Sequence, residues 1–234
     1  MAEYAINQND TIVFASDFDS NSWENLKVKY NIGDFKMPCC DSPAIPKTSS
    51  NFKHFFAHYS DECASSEESI WHLESKVAVL LILRSLNIKS ELEVSGGLSN
   101  KRWQADVYFE LGDRKVAIEI QHSYQNLRDY FKRQERYKES GVESYWLLYS
   151  PRYKTICNSI GKYRIKNEFN NKCPERGLFP CLPELPILNL LREGDQNTIK
   201  APGLFSCSLL ELINGIIDHR LVYKNGKWNL IENA

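Results

Sequence analysis

Three side chains near the middle of the chain have the chemistry to hold a metal ion and activate water: Asp106 in QADV, and Glu119 and Gln121 in IEIQHS. They stand in two runs that otherwise read as strand, RWQADVYFEL and KVAIEIQ, separated by the turn residues GDR. Alternation puts Ala105, Val107 and Phe109 on one face and Asp106 and Tyr108 on the other. In the second run Val116, Ile118 and Ile120 face one way and Ala117, Glu119 and Gln121 the other. If the apolar faces share a core, Asp106, Glu119 and Gln121 converge. Two carboxylates within about 4 Å repel strongly in a partly buried site, so such a pair needs a proton on one member or a cation between them. A hard divalent ion such as Mg²⁺, which takes oxygen ligands and keeps several waters, suits two carboxylates plus a backbone carbonyl. It would polarise a phosphoryl oxygen and lower the pKa of a bound water, the two needs of phosphodiester hydrolysis. The competing reading is a pair of solvated acids at strand ends, and the D-x12-E-x-Q spacing does not by itself decide between them.

The elements that must position these residues are legible between about residues 64 and 150. Ser65 with Glu68 fits a capping box, and Ile70, Leu73, Val77, Leu80 and Leu81 then recur at helical spacing to about Leu86. IKSELEVS, RWQADVYFEL and KVAIEIQ follow as strands. NLRDYFKRQERYKES reads as a polar helix ending at Gly141, and SYWLLYS as a further strand. Residues 1–63 form a polar, loop-rich N-terminal lobe in which TIVFA is the clearest strand. Residues 151–234, a C-terminal extension expected to pack on the middle region, show helical periodicity from Leu209 to Ile217 and no motif of known chemistry.

Bulk properties narrow the classes. The 234 residues suffice for one sizeable α/β core, and 42% hydrophobic with 25% charged residues is ordinary for a globular protein. A net charge of -1 removes any whole-protein argument for polyanion binding, so a nucleic-acid surface must come from local clustering. No apolar run approaches the roughly 18 residues of a membrane span, and no basic segment followed by an apolar stretch opens the chain. The expectation is a cytoplasmic protein without a membrane partner. Its seven cysteines, odd in number and irregularly spaced, then read as reduced thiols.

ESIWHLESK, QADV, IEIQHS and RQERYKESGVESYWLL, in this order, resemble the competence protein CoiA-like family, whose central domain belongs to the PD-(D/E)XK nuclease superfamily. The resemblance covers about Glu68 to Leu148, and more weakly reaches back to HFFAH. It implies an α/β, restriction-endonuclease-like core: a mixed sheet flanked by helices, with the N-terminal lobe and C-terminal extension attached. It also implies that Asp106 and Glu119 are the two acidic ligands of Mg²⁺ or Mn²⁺, and that Gln121 stands where the superfamily has lysine. An amide lacks lysine's charge but can orient water by donating and accepting hydrogen bonds. Glu68, His72 and Lys76 match the family's E-S-x-x-H-x-x-x-K helix. Two readings of them stand: a third acid near the metal with a histidine that positions water or phosphate, or a helix cap with its i+4 partner. Glu74 is the rival helix carboxylate. Arg133 and Tyr137 match the family's R-x-x-x-Y pair, and with Lys76 and Arg136 they are the candidate nucleic-acid contacts.

MPCCDS and HFFAH raise a structural zinc site. The family's C-P-x-C pair before H-F-A-H could form a tetrahedral one. Here Met37 replaces the first cysteine, which leaves Cys40, His54, His58 and Cys63 as the candidate ligands; the alternative is a degenerate zinc-ribbon-like lobe held by packing of Phe55 and Phe56. The expected function is metal-dependent hydrolysis of DNA, in uptake, recombination or defence against foreign DNA. The rivals are a DNA-binding module of the same fold without turnover, and an interaction protein whose terminal regions contact a partner protein.

Overall fold

A chain that alternates apolar residues through 103–121 and then presents a polar helix must pair its strands before it can bury them. The computed structural model describes residues 4–38, 41–49, 54–59, 67–98, 101–193, 196–201 and 205–232, with the side chains of 67–70 and 193 also outside the description. The chain divides into two compact units, Met1–Val77 and Ala78–Ala234.

In the first unit, β1 (Tyr4–Asn7), β2 (Ile12–Phe14) and β3 (Phe35–Lys36) form an antiparallel sheet in the order β2-β1-β3, with α1 (Ser20–Lys29) between β2 and β3. Asp19 caps α1 by accepting the Ser22 amide at 2.7 Å. β4 (Ala44–Thr48) and β5 (His54–His58) make a hairpin. Trp23, Phe35, Met37 and Phe56 bury one core. Phe56, not Phe55, is the buried member of the pair, and Met37, at the position of the family's first cysteine, is core filler. His54 stacks on Trp23 with ring centroids 4.8 Å apart. Cys40 and Cys63, two of the four zinc candidates, lie outside the described residues.

α2 (Glu67–Ser85) opens in the first unit and runs into the second, where Val79, Leu80 and Leu83 are buried. The second unit is built on a seven-stranded mixed sheet. Its strands are β6 (Ser90–Gly96), β7 (Trp103–Leu111), β8 (Arg114–Gln121), β9 (Val142–Tyr149), β10 (Ile187–Glu193), β11 (Gln196–Lys200) and β12 (Ser206–Ser208). They stand in chain order across the sheet. Pairing is antiparallel from β6 to β8, parallel from β8 through β9 to β10, and antiparallel to β12. The parallel steps need crossovers, supplied by α3 (Leu127–Glu139) and α4 (Ser150–Glu168). α3 is capped by Asn126, which accepts the Asp129 amide, and released by Gly141 at φ 68°. Tyr130 of α3 and Tyr153, Ile156 and Ile160 of α4 pack with Trp146 and Leu148 in one core cluster.

α5 (Leu209–Ile217) and the hairpin of β13 (Leu221–Lys224) and β14 (Lys227–Leu230) complete the unit. Ser208 and Glu211 form a capping box on α5. The helix, strand and turn expectations for 68–150 are met to within a few residues, as is the 209–217 helix, while the capping box expected of Ser65 and Glu68 lies outside the described residues. α4 and β10 to β12 were not anticipated; they continue the same sheet past residue 150. No helix among the described residues is long and apolar enough to cross a membrane.

Candidate active site

The ladder between β7 and β8 runs from Leu111–Arg114 to Val107–Ile118 and stops there. Beyond that pair the two strands part: β7 stays with β6 through Ala105, Gln104 and Trp103, while β8 stays with β9 through Glu119, Ile120 and Gln121. A fork in a sheet strands backbone donors and acceptors that must find other partners when buried. Here the Ile120 amide donates to Asp106 Oδ2 at 2.7 Å, and the Gln104 carbonyl accepts the Tyr137 hydroxyl at 2.9 Å. The fork therefore recruits Asp106 and Tyr137. Alternation along each strand does not show where their pairing stops; the acids meet where that ladder ends.

Glu119 is 1% exposed, on a central strand whose residues Val116 to Ile120 are all buried. Its Oε2 accepts Arg133 Nη2 at 2.6 Å, and its Oε1 meets the Tyr137 hydroxyl. Burial pushes the Glu119 carboxyl far above the usual carboxylate range; Arg133 opposes the shift, and the adjacent Asp106 carboxyl, within hydrogen-bonding reach, adds to it. Tyr137 has one hydroxyl proton, and it faces two acceptors, Glu119 Oε1 and the Gln104 carbonyl, so the one donor is shared between the acid and the stranded backbone oxygen. Burial likewise raises the Tyr137 phenol, followed by the charge of Glu119.

α3 delivers the rest. Tyr130, Arg133, Gln134 and Tyr137 fall on its inward stripe, so this largely polar helix buries a polar face. Arg133 Nη1 also reaches Gln121 Oε1 at 3.1 Å and Gln125 Oε1 at 3.3 Å. The Gln121 amide nitrogen donates to Ser123, at 2.8 Å to Oγ and 3.0 Å to the carbonyl. Trp146, the partner of Glu119 in the β8–β9 register, lies beneath the Arg133 guanidinium at 4.6 Å from its ring centre. Gln134 Oε1 holds Trp146 Nε1 at 2.7 Å and Ser144 Oγ at 2.8 Å.

A cleft of about 870 Å³ opens beside the fork, with Glu93, Trp103, Asp106, Arg133, Arg136 and Tyr137 among its walls. Arg136 is steadied by donating to the Arg102 carbonyl at 3.1 Å. Gly96 is a fixed part of this wall, because a Cβ there would meet the Trp103 ring at 2.2 Å.

The structure thus gathers Asp106, Glu119, Gln121, Arg133 and Tyr137, and places Arg136 on the same cleft. Glu68, His72 and Lys76 lie on the part of α2 that belongs to the first unit; the Glu68 side chain is outside the described residues, and Lys76 is 5% exposed. Sequence reasoning passed over Gln104, Gln125, Gln134 and Trp146. Gln104 acts through its backbone, and Trp146 and Gln134 matter through a strand register and a helix rotation that leave no local signature. Among the described residues no three His, Cys, Asp or Glu side chains cluster as a metal site. Asp106 and Glu119 nonetheless fit a hard divalent ion, because two carboxylates at one buried point require either a proton or a cation, and an all-oxygen pair suits an ion that retains waters.

No curated protein matches the chain. The crystal structure of the protein of unknown function AF1548 aligns at 15% identity and a TM-score of 0.26, over 32% of this chain and 44% of that one. The chain thus covers less than half the length of that relative. Residues 68–182 match the model described as competence protein CoiA, nuclease-like domain, a range that takes in the fork, both acids and all of α3. With a mixed sheet flanked by helices as its frame, this segment belongs to the CoiA-like family as its nuclease-like domain.

Proposed function

We propose that the domain is a metal-dependent deoxyribonuclease that hydrolyses phosphodiester bonds. The observation that carries this reading is the meeting of Asp106 with Glu119 at the β7–β8 fork, beside a cleft edged by arginines. Asp106 and Glu119 would hold Mg²⁺ or Mn²⁺, which when bound polarises a phosphoryl oxygen and lowers the pKa of a coordinated water. Gln121, fixed by Ser123 and Arg133, offers its amide to orient the attacking water. Arg133 and Arg136 supply positive charge for a phosphate that enters the cleft. His72, Lys76 and Glu68 remain further candidates of the same reading, and the substrate class assigned is DNA.

One observation favours a second reading, a DNA-binding module without turnover that acts with a partner protein. Both oxygens of Glu119 and both ends of the Gln121 amide are engaged by the protein itself. The deciding experiment incubates wild-type protein and its Glu119→Ala variant with linear, circular and single-stranded DNA in Mg²⁺, Mn²⁺ or EDTA. Metal-dependent cleavage that disappears in the variant supports the nuclease; DNA binding without cleavage in every condition transfers support to the binding module.

A further inference from the structure

The acidic pair carries its own counter-ion. Arg133 Nη2 sits 2.6 Å from Glu119 Oε2, at the carboxylate that a divalent ion would need. The guanidinium has other anchors: Gln121 Oε1, Gln125 Oε1 and the face of Trp146. Trp146 is fully buried and its indole nitrogen is tied to Gln134, so the platform beneath the guanidinium is rigid. An arginine held in this way can leave one carboxylate oxygen without losing its place.

This arrangement also gives a physical reason for an amide at position 121. The Gln121 oxygen accepts Arg133 Nη1 at 3.1 Å, whereas a lysine there would set an ammonium against the guanidinium.

Resting on the metal-dependent reading above, we propose that Arg133 is an exchangeable counter-ion. It neutralises Glu119 in the metal-free protein, yields Oε2 when a divalent cation binds the acidic pair, and remains over Trp146 with Nη2 turned to a phosphate oxygen. The reason is electrostatic. A guanidinium and a divalent ion repel strongly at contact distance in a buried site, and one carboxylate oxygen cannot serve both closely. Arg133 is 30% exposed, on the cleft wall, so a path toward a phosphate is open to it.

The test follows tryptophan emission of the full chain during Mg²⁺ titration, because a cation resting on the Trp146 ring alters its emission when it shifts. Mn²⁺ binding is measured alongside by calorimetry. Wild type should respond to Mg²⁺, and both Trp146→Phe and Arg133→Gln should lose that response while still binding Mn²⁺. A wild-type response that survives in Arg133→Gln overturns the proposal, as does metal binding by wild type with no change in emission. Should Trp146→Phe fail to fold, Arg133→Gln decides, since its site is partly exposed and glutamine keeps polar contacts. Absence of Mn²⁺ binding to wild type is a distinct failure, that of the metal-dependent reading itself.

Discussion

Asp106 and Ile120 are joined where the sheet divides: the aspartate Oδ2 accepts the isoleucine amide at 2.7 Å, just past the last β7–β8 pair, Val107 with Ile118. Asp106 therefore has a structural duty beside the chemical one proposed for it, and substitutions can separate them.

Asp106→Asn keeps an acceptor for the Ile120 amide and should fold with little loss. Asp106→Ala leaves that buried donor without its partner and should cost about 1–3 kcal/mol in urea denaturation. Both variants should lose metal-dependent cleavage by about a hundredfold or more, the order seen when one electrostatic contribution to a transition state is removed. Cleavage by Asp106→Asn at the wild-type rate would place the chemistry elsewhere.

Glu119 sets a pH dependence. Its folded-state carboxyl is raised above the ordinary 4.5, so between the two values the folded protein binds more protons than the unfolded chain. Stability in EDTA should be full below that ordinary value and fall, on the order of 2 kcal/mol, as pH rises through the raised one. Glu119→Gln should flatten the slope and be the more stable protein at neutral pH. Melting temperatures across the acid-to-neutral range, with and without Mn²⁺, check both, with Mn²⁺ restoring stability to wild type only.

Tyr137→Phe removes the hydroxyl that serves Glu119 and the Gln104 carbonyl. It should cost about 0.5–1.5 kcal/mol in stability. The Tyr137 bond holds the Glu119 carboxyl down, so its loss should move the cleavage profile toward higher pH, since protons compete with metal for the same oxygen. A shift toward lower pH would contradict the assigned role.

Arg114 offers a control away from the chemistry. It grips Glu143 with two bonds of 2.8 Å and the carbonyls of Ile216 and Ile217 at the end of α5, which ties that helix to the sheet. Arg114→Lys cannot span this fork of acceptors and should lower stability by roughly 1–3 kcal/mol. Cleavage per folded molecule should stay unchanged. A selective loss of activity would mean that α5 contributes to the site.

Much of the stretch from residue 67 to 149 was legible because its signals are local. The helix 67–85, the strands of 90–121, the helix 127–139 and the strand 142–149 each carry a periodicity or a cap that acts over a few residues. α4 escaped notice because a proline opens it and its apolar residues are sparse, and β10 to β12 because a proline-rich stretch precedes them. Packing against the sheet, not intrinsic propensity, holds such segments in place.

By itself the sequence singled out the candidate residues: Asp106, Glu119 and Gln121 interrupt apolar alternation, and Arg133 and Tyr137 share one helical stripe. Only the tertiary structure decided how they work together. The end of the β7–β8 ladder turns Asp106 and Tyr137 toward stranded backbone groups, and the β8–β9 register sets Trp146 beside Glu119 and beneath Arg133. Periodicity is a property of neighbours in the chain. A fork in a sheet and the burial that shifts a carboxyl depend on residues distant in it, so they exist only once the strands have paired.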